Sequence, residues 1–348
     1  MKDTMLALVC REGGALSLEE RPVPRLQDRR DAIVRVTRST ICTSDLHIRA
    51  GAVPRALPGV VLGHEFVGEV VRAEEDVPLR PGARVAANCI SFCGSCWHCR
   101  RGYINNCERG GWELGCRIDG CQAQYVRVPF ADTGLTPIPD SVRDEEALFV
   151  GDILSSGYFG AGLCEIREGD TVAVIGAGPV GLCAMQCARL MGARQIIAVE
   201  PIEARRRLAL QRGLADAALD PAENVCEQVL ALTHGRGADG VIECAGAKGT
   251  FSLAWRLARA NAVVALLAMY EEDQTLPLPQ MYGKNLVFKT GGVDAVHCAR
   301  LLGLIEAGKL DTSFLITHRG PLQNILEGYR VFENREDGCL KWVVTYGE

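Results

Sequence analysis

Cys93, Cys96, Cys99 and Cys107 lie in one short loop with the spacing C-x2-C-x2-C-x7-C. Four thiolates on a tight loop can meet at one tetrahedral Zn2+, about 2.3 Å from each sulfur. Such a closed site staples a loop and leaves no position for a reacting molecule. His98, inside the run CWHC, could compete as a donor. Four thiols already fill a tetrahedron, so His98 is read as loop surface; the bland alternative leaves Cys107 or a neighbour unligated.

A second set of donors is scattered. STICTSDLH carries Cys42, Ser44, Asp45 and His47, LGHEFVGEV carries His64 and Glu65, and FVGDILSSGY carries Asp152. The three segments are far apart in sequence, so their spacing alone does not separate a metal site from ordinary buried polar groups.

The third chemical feature is TVAVIGAGPVG, which places Gly176, Gly178 and Gly181 in G-x-G-x-x-G, with Pro179 and Val180 between the last two. Gly176 permits a tight turn, Gly178 lets backbone approach a pyrophosphate, and Gly181 lets helix and strand pack closely. The helix start then offers free N–H groups to phosphate. Glu200 ends the next apolar strand, 19 residues after Gly181. A carboxylate there can accept both ribose hydroxyls, and its charge repels a 2′-phosphate, which favours NAD. Arg205 and its neighbours Arg206 and Arg207 keep NADP as the lesser alternative, and their bland reading is a solvated helix face.

The elements that must hold these residues follow from the apolar rhythm. Up to about residue 150, short alternating runs such as DAIVRVTRS, HEFVGEVV, ARVAAN and AQYVRV are broken by Gly and Pro, which predicts a barrel-like antiparallel β domain. From about residue 153, continuous apolar strands (TVAVIG, QIIAVE, ADGVIE, AVVALLAM) alternate with helical stretches, which predicts parallel βαβ units. After about residue 295 a helix, AVHCARLLGLIEAGKL, and a strand, WVVTY, form a tail too short to be a domain; it is expected to pack back on the first domain.

Bulk composition narrows the class. The 348 residues exceed one usual domain; 48% are hydrophobic and 23% charged, as in a soluble globular protein. The net charge of −5 lacks the basic face of a nucleic-acid binder, so no nucleic-acid partner is expected. Sixteen cysteines, several alone in apolar runs (Cys183, Cys187, Cys244) and the clustered ones with metal spacing, point to a reducing compartment. The apolar stretch before Cys10 is too short for a secretory signal, and no run is long enough to span a membrane. A cytoplasmic protein with a small-molecule partner is the expectation.

CTSDLH, GHEFVGEV, the four-cysteine loop, GAGPVG and GDILSSGY occur in the order found in the zinc-dependent medium-chain alcohol dehydrogenases. The chain resembles that family from about residue 30 to its C-terminus, and looks most similar to microbial members acting on secondary alcohols or diols. The resemblance implies an α/β protein: a GroES-like catalytic domain over 1–152, with 296–348 packing back on it, and a Rossmann NAD-binding domain over 153–295. It implies two zinc ions per chain, with Cys42 and His64 as ligands of the catalytic one and Glu65 in its outer shell or serving as a fourth ligand. Asp152 falls where many members use a second cysteine; one thiolate and one carboxylate offset the 2+ charge as two thiolates would. Asp45 would hold the free ring nitrogen of His64, or else be a buried turn aspartate. Reversible alcohol oxidation is implied, with the proton leaving through Ser44, the nicotinamide ribose and His47; a plain surface histidine is the bland reading of His47. Cys89 and Trp112 fall near pocket positions, and Trp112 either narrows the cavity or packs as an interdomain aromatic. A homodimer or homotetramer is implied, with NAVVALLAM and the segment after it at the subunit edge.

Rival readings remain open at this point. They are a non-enzymatic zinc module binding nucleic acid or protein, a zinc-independent reductase of the same superfamily, and a zinc- and NAD-dependent enzyme of other carbonyl chemistry, such as aldehyde dismutation or an oxidation–elimination sequence.

Overall fold

Ala32–Thr40 is the hub of the first sheet in a computed structural model that describes residues 3–347. It pairs antiparallel with Phe66–Ala73, Tyr125–Val128 and Lys341–Thr345. Alternation decides which face is buried: Ala32, Val34 and Val36 point into one core with Phe66, Val70, Val126 and Val128. Arg84–Ala87 and Leu135–Pro137 extend the sheet on one side, and Ile316–Pro321 lies beyond Lys341–Thr345 on the other. A smaller three-stranded sheet joins Leu16–Pro22, Thr4–Cys10 and Val60–Val61.

One pairing departs from the antiparallel expectation. Ile316–Pro321 runs parallel to Lys341–Thr345. A parallel pair needs a crossover, and the helix Ile325–Asn334 supplies it. That helix buries Ile325, Tyr329 and Val331 in a core shared with Leu8, Ile41, Leu62 and Trp342. The C-terminal segment is thereby tied to residues near the start of the chain.

The chain divides into two units: one runs to Ser155 and resumes at Asp294, and the other is Ser156–Val293. The second unit is a six-stranded parallel sheet in the order Ala217–Leu219, Gln195–Val199, Thr171–Ile175, Ala238–Glu243, Ala258–Leu266, Val287–Thr290. Thr171–Ile175 is buried at every position, as a strand covered on both faces must be. Its core joins Ala173, Ile175, Ile197, Val199, Val241 and Val264 to the helix residues Val225, Val229 and Leu257. The order reverses after Thr171–Ile175: its partner strands on the two sides are reached by chains leaving in opposite directions. Such a switch point is where open parallel sheets bind dinucleotides. Among the described residues, no helix is long and apolar enough to cross a membrane.

Candidate metal centre and dinucleotide turn

Cys42, His64 and Asp152 meet although their segments are remote in sequence, with one donor atom of each within 4.8 Å of the others. Cys42 is the residue before the helix Thr43–Arg49, His64 precedes the strand Phe66–Ala73, and Asp152 precedes the helix Ile153–Leu163. Asp152 Oδ2 lies 3.2 Å from His64 Nε2 and 3.5 Å from Cys42 Sγ. All three side chains are largely withdrawn from solvent. Burial disfavours a charged imidazole, but Asp45 and Asp152 outweigh it and lift His64 well above the ordinary histidine range. Burial likewise opposes ionisation of Asp152, and contact with His64 and the charge of Lys341 hold its carboxyl below the usual range. This pocket therefore favours a cation, and its sulfur, nitrogen and oxygen donors are those zinc accepts.

Glu65 stands outside that donor set. Its Oε2 accepts a 2.6 Å hydrogen bond from Lys341 Nζ, and its Oε1 faces the Ile153 N–H at 3.4 Å. Burial pushes the Glu65 carboxyl up to about 7, against the pull of Lys341. Lys341 is itself buried and also donates to the Ile41 carbonyl. Burial would lower its pKa, but Glu65, Cys42 and Asp152 more than reverse that. Sequence reasoning missed Lys341. The available signal was a lysine inside the apolar run CLKWVVTY, where an unpaired charge is costly.

Ser44 and His47 sit on the Thr43–Arg49 helix, three residues apart and so on one face. Ser44 Oγ lies 3.7 Å from Cys42 Sγ. Asp45, at the third position of that helix, accepts the Cys42 N–H at 2.9 Å through Oδ2, and its Oδ1 is 3.4 Å from His64 Nδ1. Trp112 packs edge-on against His64, with ring centroids 5.6 Å apart. Cys89 is buried, its N–H bonded to the Gly151 carbonyl, and burial followed by the charge of Asp152 pushes its thiol well up. It is a neutral thiol beside the cluster.

Cys93, Cys96, Cys99 and Cys107 also converge within 4.8 Å. Backbone N–H groups point at the sulfurs: Ser95 and Cys96 at Cys93, Cys99 at Cys96, Arg109 and Cys93 at Cys107. Burial raises the Cys93 thiol, but the Ser95 N–H, the Arg109 guanidinium and the Cys96 N–H bring it down to about 5. Donors that stabilise thiolate fit a metal of positive charge. His98 is not in this group, and its ring rests against Trp97 at 5.0 Å.

In the second unit, Gly176 has φ +93° and Gly181 packs so tightly that a Cβ there would fall 1.9 Å from the Gly176 carbonyl oxygen. Gly178 caps the helix Pro179–Leu190, whose first residue, proline, has no N–H to lose. Gly178, Pro179 and Val180 are part-exposed at this helix start. Glu200 is buried, and backbone N–H groups occupy one site on each carboxylate oxygen: Ala177 on Oε2 at 2.7 Å and Ile202 on Oε1 at 3.0 Å. Each oxygen keeps acceptor capacity for a hydroxyl. The arginine triplet is not one solvated face. Arg207 pairs with Glu203, whereas Arg206 turns back to the Glu200 and Pro201 carbonyls and to Asp220. Helical geometry separates neighbours by about 100°, and Arg206 points back at the carbonyls of the two residues before the N-cap Ile202.

Residues 28–140 match the family described as alcohol dehydrogenase GroES-like domain, and residues 179–293 match zinc-binding dehydrogenase. An alcohol dehydrogenase of Cupriavidus necator is 37% identical over 365 aligned positions, covering 98% of each chain. The alcohol dehydrogenase TADH from Thermus sp. ATN1 superposes with a TM-score of 0.91 at 36% identity, covering 99% of this chain and 100% of that one. A zinc-dependent alcohol dehydrogenase from Streptococcus pneumonia superposes with a TM-score of 0.93 at 33% identity, covering 99% of each. With its GroES-like and dinucleotide-binding folds and this likeness over nearly the whole length, the chain belongs to the zinc-dependent medium-chain alcohol dehydrogenase family.

Proposed function

We propose that this protein reversibly oxidises a secondary alcohol, diol or polyol with NAD, using one zinc ion for chemistry and a second for structure. The convergence of Cys42, His64 and Asp152 in one buried cluster carries the reading, because it combines zinc-type donors with only three protein ligands. When bound, zinc supplies a Lewis acid that makes a hydroxyl more acidic, and nicotinamide supplies the hydride acceptor. The chain's own residues do the rest. Cys42, His64 and Asp152 would hold the ion, the thiolate and carboxylate offsetting its charge, and Asp45 faces His64 Nδ1, leaving Nε2 on the side of Asp152. Ser44 takes the substrate's hydroxyl proton, and His47 on the same helix face passes it toward solvent. Trp112, edge-on to His64, and Cys89, near Asp152, would flank a substrate held at the cluster, and Glu65 is held by Lys341 as an outer partner.

Glu200 supports NAD over NADP: its charge, fixed beside the glycine turn by Ala177, opposes a 2′-phosphate. The cysteine cluster would hold the structural ion. A second copy of the chain is the proposed protein partner. Val287–Thr290 is one of the two edge strands of the parallel sheet; Val287 in it and Leu276, Leu278 and Tyr282 shortly before it are exposed.

The test is a screen of primary alcohols, secondary alcohols, diols and polyols with NAD and NADP, each with and without a chelator. Chelator-sensitive oxidation with NAD is expected; turnover unaffected by metal removal would sink the proposal. Ser44→Ala should lower kcat by about 10²–10⁴-fold, the usual contribution of a positioned proton acceptor. His47→Ala should slow turnover less than Ser44→Ala does. An unchanged rate in Ser44→Ala would remove Ser44 from the proton path.

A further inference from the structure

Behind the ligand His64 lies a buried polar chain that reaches the C-terminal segment. Tyr329 OH donates to Gln122 Oε1 at 2.8 Å, and Gln122 Nε2 donates to Asp45 Oδ2 at 3.1 Å. Asp45 Oδ1 then faces His64 Nδ1 at 3.4 Å. Tyr329, Gln122 and Asp45 are each at most 1% exposed. We infer that Gln122 and Tyr329 are positioning residues for the catalytic metal, acting by fixing the Asp45 carboxylate that orients His64.

The donor and acceptor roles in the chain are determined. An ionised carboxylate only accepts, so the amide end of Gln122 facing Asp45 must be its NH2. Its carbonyl oxygen must then face Tyr329, whose hydroxyl has to donate. Asp45 Oδ2 thus receives two donors, the Cys42 N–H and the Gln122 amide. Two bonds on one oxygen fix the rotation of the carboxylate and leave Oδ1 directed at the imidazole. Neither Oδ1 nor His64 Nδ1 has another hydrogen-bond partner among the described residues. The backbone is also shaped around Gln122. Gly63, next to His64, has φ +94°, and a Cβ on it would fall 2.7 Å from Gln122 Cγ. A side chain at 63 would displace Gln122, so the chain entering the ligand His64 makes room for the amide.

Tyr329 lies 207 residues from Gln122, on the helix Ile325–Asn334. The relay therefore makes retention of the catalytic ion depend on the docking of the C-terminal segment. This inference rests on the proposed ligand set of Cys42, His64 and Asp152.

The experiment follows zinc release from the full-length protein to a chromogenic chelator, with Cys42→Ser identifying which phase belongs to that set. Outer partners of metal ligands contribute about 10–100-fold to metal affinity. Tyr329→Phe, which acts two hydrogen bonds further back, should speed the Cys42-dependent phase by about 3–10-fold. It should leave the four-cysteine phase unchanged, which a general loosening of the fold would not. In an Asp45→Asn background, Tyr329→Phe should add nothing. Should Tyr329→Phe fail to fold, Gln122→Met carries the same expectation. Equal acceleration of both phases, no change in either, or a full additive effect in the Asp45→Asn background would overturn the inference alone. A parent protein that releases only one zinc, identical in Cys42→Ser, would overturn the ligand set as well.

Discussion

Cys42→Ser should keep one zinc per chain instead of two and lose at least about 10³-fold in kcat/KM. A serine hydroxyl is not an anion at neutral pH, so Asp152 would be left as the only negative ligand against a 2+ charge. The helix start at Cys42 would survive, because Asp45 caps the backbone N–H of residue 42 and not its sulfur. The loss should therefore fall on metal binding and chemistry while the fold persists. A metal that acts as a Lewis acid supplies several kcal/mol of transition-state stabilisation. About 4 kcal/mol corresponds to the 10³-fold stated. Metal analysis, steady-state kinetics and thermal unfolding of the same preparation check it. Two zincs with near-parent turnover would show that the sulfur of Cys42 is not a ligand.

The largest effect on stability is expected from Lys341→Met. Lys341 and Glu65 form an ion pair 2.6 Å apart with both side chains almost fully buried. Removing one partner of such a pair costs about 3–5 kcal/mol, because the other is left as an uncompensated charge. Glu65 already sits at about 7 with the lysine present, so without it the carboxyl escapes by taking up a proton near neutral pH. That relief places the expected loss near the lower end, about 3 kcal/mol. Methionine fills most of the lysine stem's volume, which keeps a cavity from adding to the effect. Glu65→Gln combined with Lys341→Met should recover much of the loss, since the orphaned charge is gone. Denaturant unfolding of the two single variants and the double variant makes the cycle. A Lys341→Met protein as stable as its parent would mean that the ion pair does not hold these segments together.

The two variants also separate two kinds of legibility. Cys42 stands in CTSDLH, where neighbouring residues give a motif to read. Lys341 and Glu65 are 276 residues apart, and nothing local to either names the other. Gln122 is one of two amides in GCQAQYVRV, and Tyr329 is one of two aromatics on an amphipathic helix. Both would pass as ordinary core or surface residues. The role of each exists only where it touches Asp45, directly or through the other.

Fold class was accessible from the sequence for a similar local reason. Side-chain period distinguishes a half-buried strand from one buried on both faces, and Ala32–Thr40 and Thr171–Ile175 show the two patterns. The parallel pairing of Ile316–Pro321 with Lys341–Thr345 was not accessible, because strand direction is decided by the crossover helix between them and not by alternation.

By itself, the sequence determined what depends on neighbours along the chain: the glycine turn, the four-cysteine loop, the strand and helix periods, and the order of motifs that marks the family. The tertiary structure decided which distant groups share a buried volume: it brings Cys42, His64 and Asp152 together, a set the sequence reached only through resemblance, and it alone joins Glu65 to Lys341 and Asp45 to Gln122 and Tyr329. The physical reason is that removal from water makes each buried charge and polar group require a specific partner, and packing, not sequence distance, supplies it.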